Sequence, residues 1–178
     1  IKAAVWAIKS GEQNEENRTF TFVMRPEQKN AVNKTITYFK SYKKENPEKT
    51  PHFLWNAKMR FGKTFAAYQL AKTMDWKRIL VLTFKPAVQS AWEEDLKNHV
   101  DFSGWQFISR NGLSFSQIKK NKPIVCFGSF QDYLGKNEVG GIKIKNEWVH
   151  AMDWDCIIFD EYHYGAWREN AKELFEAE

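Results

Sequence analysis

The chain has 178 residues, enough for one domain that buries most of its apolar surface without staples. Its 27 Lys plus Arg against 22 Asp plus Glu give a net charge of +5, which favours a polyanionic partner and says nothing of fold. The apolar runs are too short for a membrane span, no signal-peptide pattern opens the chain, and its two cysteines, Cys126 and Cys156, make neither a disulfide framework nor a zinc site. Both cysteines sit in apolar runs and read as small buried hydrophobes.

In chain order, the apolar patches at residues 3–8 and 20–24 read as two short strands or an entry segment, joined by a polar stretch. At Arg25-Pro26-Glu27-Gln28 the pattern turns helical: Ala31, Val32, Ile36 and Phe39 recur on one face, and Pro26 suits a first turn. Residues 52–57 predict a short strand, 64–74 a helix, and 78–84 a nearly continuous apolar strand of the kind buried on both faces of a parallel sheet. A helix follows over 86–98, then strands over 105–108 and 123–128. Residues 135–145 read as a Gly- and Lys-rich loop, 154–159 as a strand and 166–178 as a helix. Strands separated by helix-sized segments imply crossovers, an α/β fold and a mainly parallel sheet. Ligands then bind at the carboxyl ends of the strands.

Two segments with chemical content fall at such ends. The first, Ala57-Lys58-Met59-Arg60-Phe61-Gly62-Lys63-Thr64, precedes a helix and reads as a phosphate loop. Backbone N–H groups at a helix N-terminus face a phosphate, and the helix dipole favours the anion. Gly62 permits close approach, Lys63 reaches the β- and γ-phosphates, and the Thr64 hydroxyl ligates Mg²⁺. Ala57 stands where the pattern has Gly, and Arg60 and Phe61 are bulky for a phosphate cradle.

The second is Cys156-Ile157-Ile158-Phe159-Asp160-Glu161-Tyr162-His163. Adjacent acids on a strand point to opposite sides, but at a strand end both can serve one site. Asp160 would hold Mg²⁺, and Glu161 would orient and deprotonate an attacking water. Glu161 lies 97 residues after Thr64 (161 − 64), room for the intervening strands and helices.

These motifs resemble motifs I and II of the superfamily two helicases and translocases of the DExH type, over most of the chain. The likeness implies a RecA-like, three-layer sandwich over residues 25–178, with ATP and Mg²⁺ as cofactors. Residues 1–24 would be an extension or the end of a preceding domain. RPEQ is similar to the family's upstream Gln motif, so Gln28 would read the adenine edge, with Arg25 nearby and Phe20 or Phe22 stacking on the base. Thr83-Phe84-Lys85-Pro86 and Gly128-Ser129-Phe130-Gln131 resemble strand-contact motifs, which makes Lys85, Ser129 and Gln131 candidate nucleic-acid contacts. His163 would couple the nucleotide site to a neighbouring domain. The DEYH spelling and the RxxQ lead-in look most like the motors of type I and type III restriction enzymes. That implies a cytoplasmic protein on double-stranded DNA, with no membrane partner and with nuclease and methyltransferase or specificity domains or subunits alongside.

The family motor uses two RecA-like domains, and the second supplies an arginine finger worth about 10³–10⁵ in rate. No later motif is visible, so the chain is expected to be the first motor domain of a longer protein, poorly active alone. Two other readings stay open. One is a nucleic-acid-binding module with a degenerate nucleotide site. The other is a small-molecule P-loop kinase, which would leave RPEQ and DEYH unexplained. Basic residues gather at 40–49 and 119–122, with Lys136, Lys143 and Lys145 nearby in sequence; some would meet phosphates. Trp55, Trp76, Trp92 and Trp154 are expected to pack in or beside the core. Trp105, Trp148 and Trp167 are less constrained and are open to base stacking.

Overall fold

The computed structural model describes residues 18–110, 112–133 and 147–161. Four strands form one parallel sheet in the order β2-β3-β1-β4: β1 Arg78–Thr83, β2 Gln106–Ile108, β3 Ile124–Ser129 and β4 Cys156–Asp160. The helices are α1 Pro26–Glu45, α2 Lys63–Thr73, α3 Gln89–Asn98, α4 Phe130–Tyr133 and α5 Glu147–Ala151.

The central strands β1 and β3 are apolar on both faces because both faces are covered. Ile79, Val81, Val125 and Phe127 pack with Phe65 and Tyr68 of α2 and with Trp92 and Leu96 of α3. Leu80, Leu82, Ile124 and Cys126 pack on the opposite face with Phe130, Tyr133 and Val149 from α4 and α5. The result is the expected helix–sheet–helix sandwich. A third cluster, Val32, Ala66 and Leu70, joins α1 to α2. Register places Ser129, Thr83 and Asp160 side by side at the carboxyl ends of β3, β1 and β4. Burial of Cys126 pushes its thiol up to about 12, so it is an inert core residue, as expected.

Two expectations are corrected, and for residues 20–24 the entry-segment alternative holds. Residues 52–57 are not a strand and pair with no described strand. Their aromatic and apolar side chains suit a pleated surface, but no sheet edge meets them. Instead Trp55 turns onto α1, donating Nε1–H to Thr35 Oγ1 at 2.8 Å. Residues 20–24 make only one bridge, Phe20 with His99, rather than a strand. Phe20 is held at the end of α3 by its backbone, its N–H donating to the Asn98 carbonyl at 2.9 Å and its carbonyl accepting from the Val100 N–H at 3.0 Å, and the Phe22 ring lies 4.7 Å from those of Phe65 and His99. The helix expected over 86–98 begins as a separate 3₁₀ turn, Pro86–Val88, before α3. The Lys85 N–H is taken by Thr83 Oγ1 at 3.0 Å, a local bond of the kind that competes with helix.

The aromatic residues are mostly structural. Trp92 is buried, and Trp55, Trp76 and Trp105 pack against the core on its side of the sheet. Trp148 and Trp154 do so on the other, with Trp148 stacked on Phe115 at 4.4 Å. Trp167, the loop at 135–145, the patch at 3–8 and the helix at 166–178 lie outside the described residues.

Gly128 shows how tight the second face is. A methyl group there would stand 2.0 Å from the Tyr133 ring. Tyr133 cannot easily retreat, because its hydroxyl lies 3.3 Å from the Phe127 carbonyl and 3.4 Å from Cys126 Sγ. Gly128→Ala is therefore expected to destabilise the fold by about 1–3 kcal/mol, the usual cost of overpacking. Urea denaturation measures it, and an unchanged midpoint would mean that the ring swings aside freely.

Candidate active site

The loop before α2 reaches the helix through two left-handed residues, Arg60 at φ 64° and Gly62 at φ 73°. That path turns carbonyls outward, and α1 collects them. Arg25 Nη2 donates to the Arg60 and Phe61 carbonyls at 2.9 and 2.6 Å. Gln28 Nε2 donates to those of Phe61 and Gly62 at 2.8 and 3.2 Å, and Gln28 Oε1 accepts from Arg25 N at 2.8 Å. Gln28 is buried, and its amide grips the loop backbone. The φ favours glycine at 62, and a Cβ there would lie 2.7 Å from Gln28 Nε2 and press on the amide that holds the loop. Phe61 packs edge-on against Trp55, which gives this bulky residue a structural seat.

Lys63 opens α2 and points at the acid pair. Its Nζ lies 2.7 Å from Asp160 Oδ1 and 2.7 Å from Glu161 Oε1. Both acids reach it because the chain turns sharply where β4 ends: Glu161 has φ 55°, and its N–H bonds Asp160 Oδ1 at 2.9 Å. A left-handed glutamate is uncommon and costs on the order of 1 kcal/mol. Here the ion pairs over-determine it. Burial pulls the Lys63 ammonium down, but the hydrogen bonds and charges of Asp160 and Glu161 outweigh burial and hold it above its ordinary value. Its charge sits at the mouth of the loop.

α3 reaches both halves of this arrangement. The Trp92 indole N–H donates to Asp160 Oδ2 at 2.8 Å. The Thr64 hydroxyl donates to Asp95 Oδ2, and the Asp95 carboxylate also accepts the Phe65 backbone N–H. Burial raises Asp95 above the usual carboxylate range, and the bonds from Thr64 and Phe65 and the nearby His99 offset part of that. The motifs gave no sign of Trp92 or Asp95. The available signal was their spacing, three residues apart on one helix face just after the first central strand.

The remaining described candidates end or follow β1 and β3 at the same edge of the sheet. Lys85 is exposed beyond β1. Ser129 Oγ donates to Asp132 Oδ2 at 2.8 Å and accepts from Asp132 N at 3.1 Å, so it caps α4. Gln131 is exposed on that short helix. His163 is outside the described residues.

The donor set suits Mg²⁺. Asp160 and Thr64 offer hard oxygens, and Mg²⁺ beside a nucleotide takes one or two carboxylates, keeping waters and phosphate oxygens for the rest. Among the described residues no group of three or more His, Cys, Asp or Glu is placed to hold a metal ion by itself. The cation Lys63 and the backbone N–H groups of Lys63 and Thr64, which open α2 without intrahelical partners, suit a phosphate chain.

The sequence matches the family described as type III restriction enzyme, res subunit, over residues 21–178. The chain belongs to that family. It is a restriction-enzyme, helicase-like motor domain with a RecA-like α/β fold, as the two motifs led one to expect. A protein of Mycoplasma pneumoniae, named as the C-terminus of a candidate type II restriction enzyme and methyltransferase, is 38% identical over 153 residues. The match takes in 82% of this chain and 20% of that protein, so the chain spans about a fifth of its relative's length. No solved structure matches the chain significantly. Among the described residues no helix is long and apolar enough to cross a membrane.

Proposed function

We propose that this res-family domain binds Mg²⁺-ATP and serves as the first motor domain of an ATP-dependent DNA helicase or translocase in a cytoplasmic restriction-modification enzyme. The observation that carries this is the convergence of Lys63 with Asp160 and Glu161 at 2.7 Å, at the carboxyl edge of a parallel sheet. In this reading Lys63 leaves the acids to meet the β- and γ-phosphates, while Gly62 and the loop residues Arg60 and Phe61 follow the phosphate chain. Thr64 and Asp160 hold the metal. Bound Mg²⁺ neutralises charge on the phosphate oxygens. Glu161 orients a water and takes its proton as the oxygen attacks the γ-phosphorus and ADP leaves. Arg25 and Gln28 lie on the base side, where Gln28 would meet adenine while it grips the loop, and the half-exposed Phe22 can stack on the base. Lys85, Ser129 and Gln131 face DNA phosphate or sugar, and His163 couples to the second RecA-like domain, which completes hydrolysis. Nuclease and methyltransferase or specificity domains or subunits are the expected companions, since the Mycoplasma relative is named for both activities.

The test is calorimetric titration of Mg²⁺-ATP into the chain, alone and joined to its second motor domain. Wild type and Glu161→Gln are expected to bind, and Lys63→Ala to give no heat. Undiminished binding by Lys63→Ala, or silence from the wild type in both forms, overturns the reading and leaves a module that touches nucleic acid without nucleotide. A phosphorylated small molecule among the products would point to a kinase instead.

A further inference from the structure

We infer that α3 carries two positioning residues, Asp95 and Trp92, that fix the orientation of both Mg²⁺-ligating side chains. The inference rests on the nucleotide reading above and goes beyond it, since neither residue belongs to the loop or the acid pair.

A threonine hydroxyl has one proton and two lone pairs. The Thr64 proton is committed to Asp95 Oδ2, so both lone pairs are left for a cation. Without Asp95 the hydroxyl rotor is free, and its proton can turn into the metal position. The same logic applies at Asp160. Oδ2 accepts the Trp92 indole N–H at 2.8 Å, which fixes the rotation of the carboxylate and directs Oδ1 toward Lys63. When Lys63 moves to phosphate, Oδ1 is already aimed at the site. An indole donates and cannot accept, so the bond holds one sense only.

The helix can do this because it is itself fixed. Trp92 is 1% exposed, its ring meets that of Tyr68 edge-on at 5.3 Å, and the Tyr68 hydroxyl donates to the Trp92 carbonyl at 2.9 Å. Tyr68 lies one turn along α2 from Thr64. Residues 64 and 68 of α2 therefore meet residues 95 and 92 of α3, and the two helices hold each other in register. Groups that hold a metal's ligands typically account for 10–100-fold in metal affinity.

The experiment separates metal affinity from nucleotide affinity. A fluorescent ATP analogue is titrated into the chain joined to its second motor domain, with EDTA and then with rising Mg²⁺. Asp95→Asn and Trp92→Phe are expected to bind the metal-free nucleotide as the wild type does. Their Mg²⁺ half-saturation should rise by about 10-fold or more. Asp95→Asn made on a Thr64→Val background should add nothing, because its partner is gone. A metal-free affinity that falls in parallel, or a Mg²⁺ requirement equal to wild type in both variants, overturns the assignment, as does a full Asp95→Asn effect on Thr64→Val. Trp92→Phe removes buried volume, so Asp95→Asn, which preserves shape, decides the matter if Trp92→Phe folds poorly. A wild type that binds no nucleotide at all sinks the functional reading first, which is a distinct result.

Discussion

Lys63→Met is expected to abolish nucleotide binding and to destabilise the domain by about 2 kcal/mol, with a pH signature of its own. Methionine keeps the aliphatic stem, so the change isolates the charge. The magnitude follows from position. An exposed ion pair contributes about 0–1 kcal/mol, and breaking a fully buried one costs about 3–5. The Lys63 side chain is 39% exposed and that of Asp160 only 4%, which puts this pair between those limits. Removing the cation leaves two adjacent carboxylates facing each other, one of them buried. The lysine is held above its ordinary value when folded, by Asp160 and Glu161 against the opposing pull of burial. Its contribution is thus fully present below the unfolded lysine value, about 10.4. It disappears as pH rises through the higher folded value. The urea midpoint of wild type should exceed that of Lys63→Met at about pH 8, and the gap should close as pH rises past the ordinary lysine value of about 10.4. A gap that is constant across this range would mean that the stabilisation is not the ion pair.

The same cluster marks the boundary of what could be read in the sequence. The meeting of Lys63 with Asp160 and Glu161 was legible because its parts are local: a Gly-Lys-Thr opening a helix, and two acids closing an apolar strand. The central strands were legible because burial on both faces leaves a continuous apolar run. The segment at 52–57 misled for the converse reason. Its residues favour a strand, but a strand exists only where another edge accepts its hydrogen bonds, and pairing is a property of distant chain. The grip of Arg25 and Gln28 on the loop was hidden similarly. The motif suggested a reader of adenine and gave no sign that the same amide also holds the carbonyls at 61 and 62, more than thirty residues away. Trp92 is expected in the core, but its bond to Asp160 and the place of Asp95 are not legible, because nothing in α3 itself distinguishes a surface acid from one that meets Thr64 across a helix pair.

Trp92 carries the largest expected loss of stability. Trp92→Ala should destabilise the domain by about 3–5 kcal/mol, the range for deleting a buried aromatic. Domains of this kind have about 5–15 kcal/mol in total, so the variant would sit near its unfolding threshold. Three losses coincide at this position. The indole fills the space between α2, α3 and the β1–β3 face, and alanine leaves that volume empty beside Tyr68 and Phe102. The edge-on ring contact with Tyr68 goes with it. Asp160 Oδ2 also loses its donor in a buried place, which costs about 1–3 kcal/mol where water cannot replace it. Comparing substitutions separates these losses. Trp92→Phe restores most of the ring and none of the hydrogen bond, so it should recover well over half of the stability lost in Trp92→Ala while keeping the Mg²⁺ defect. Thermal denaturation of the two variants beside wild type measures the first part, and the metal titration measures the second. If Trp92→Phe were as unstable as Trp92→Ala, the bond to Asp160 would outweigh the packing, and the site rather than the core would be what Trp92 chiefly supports.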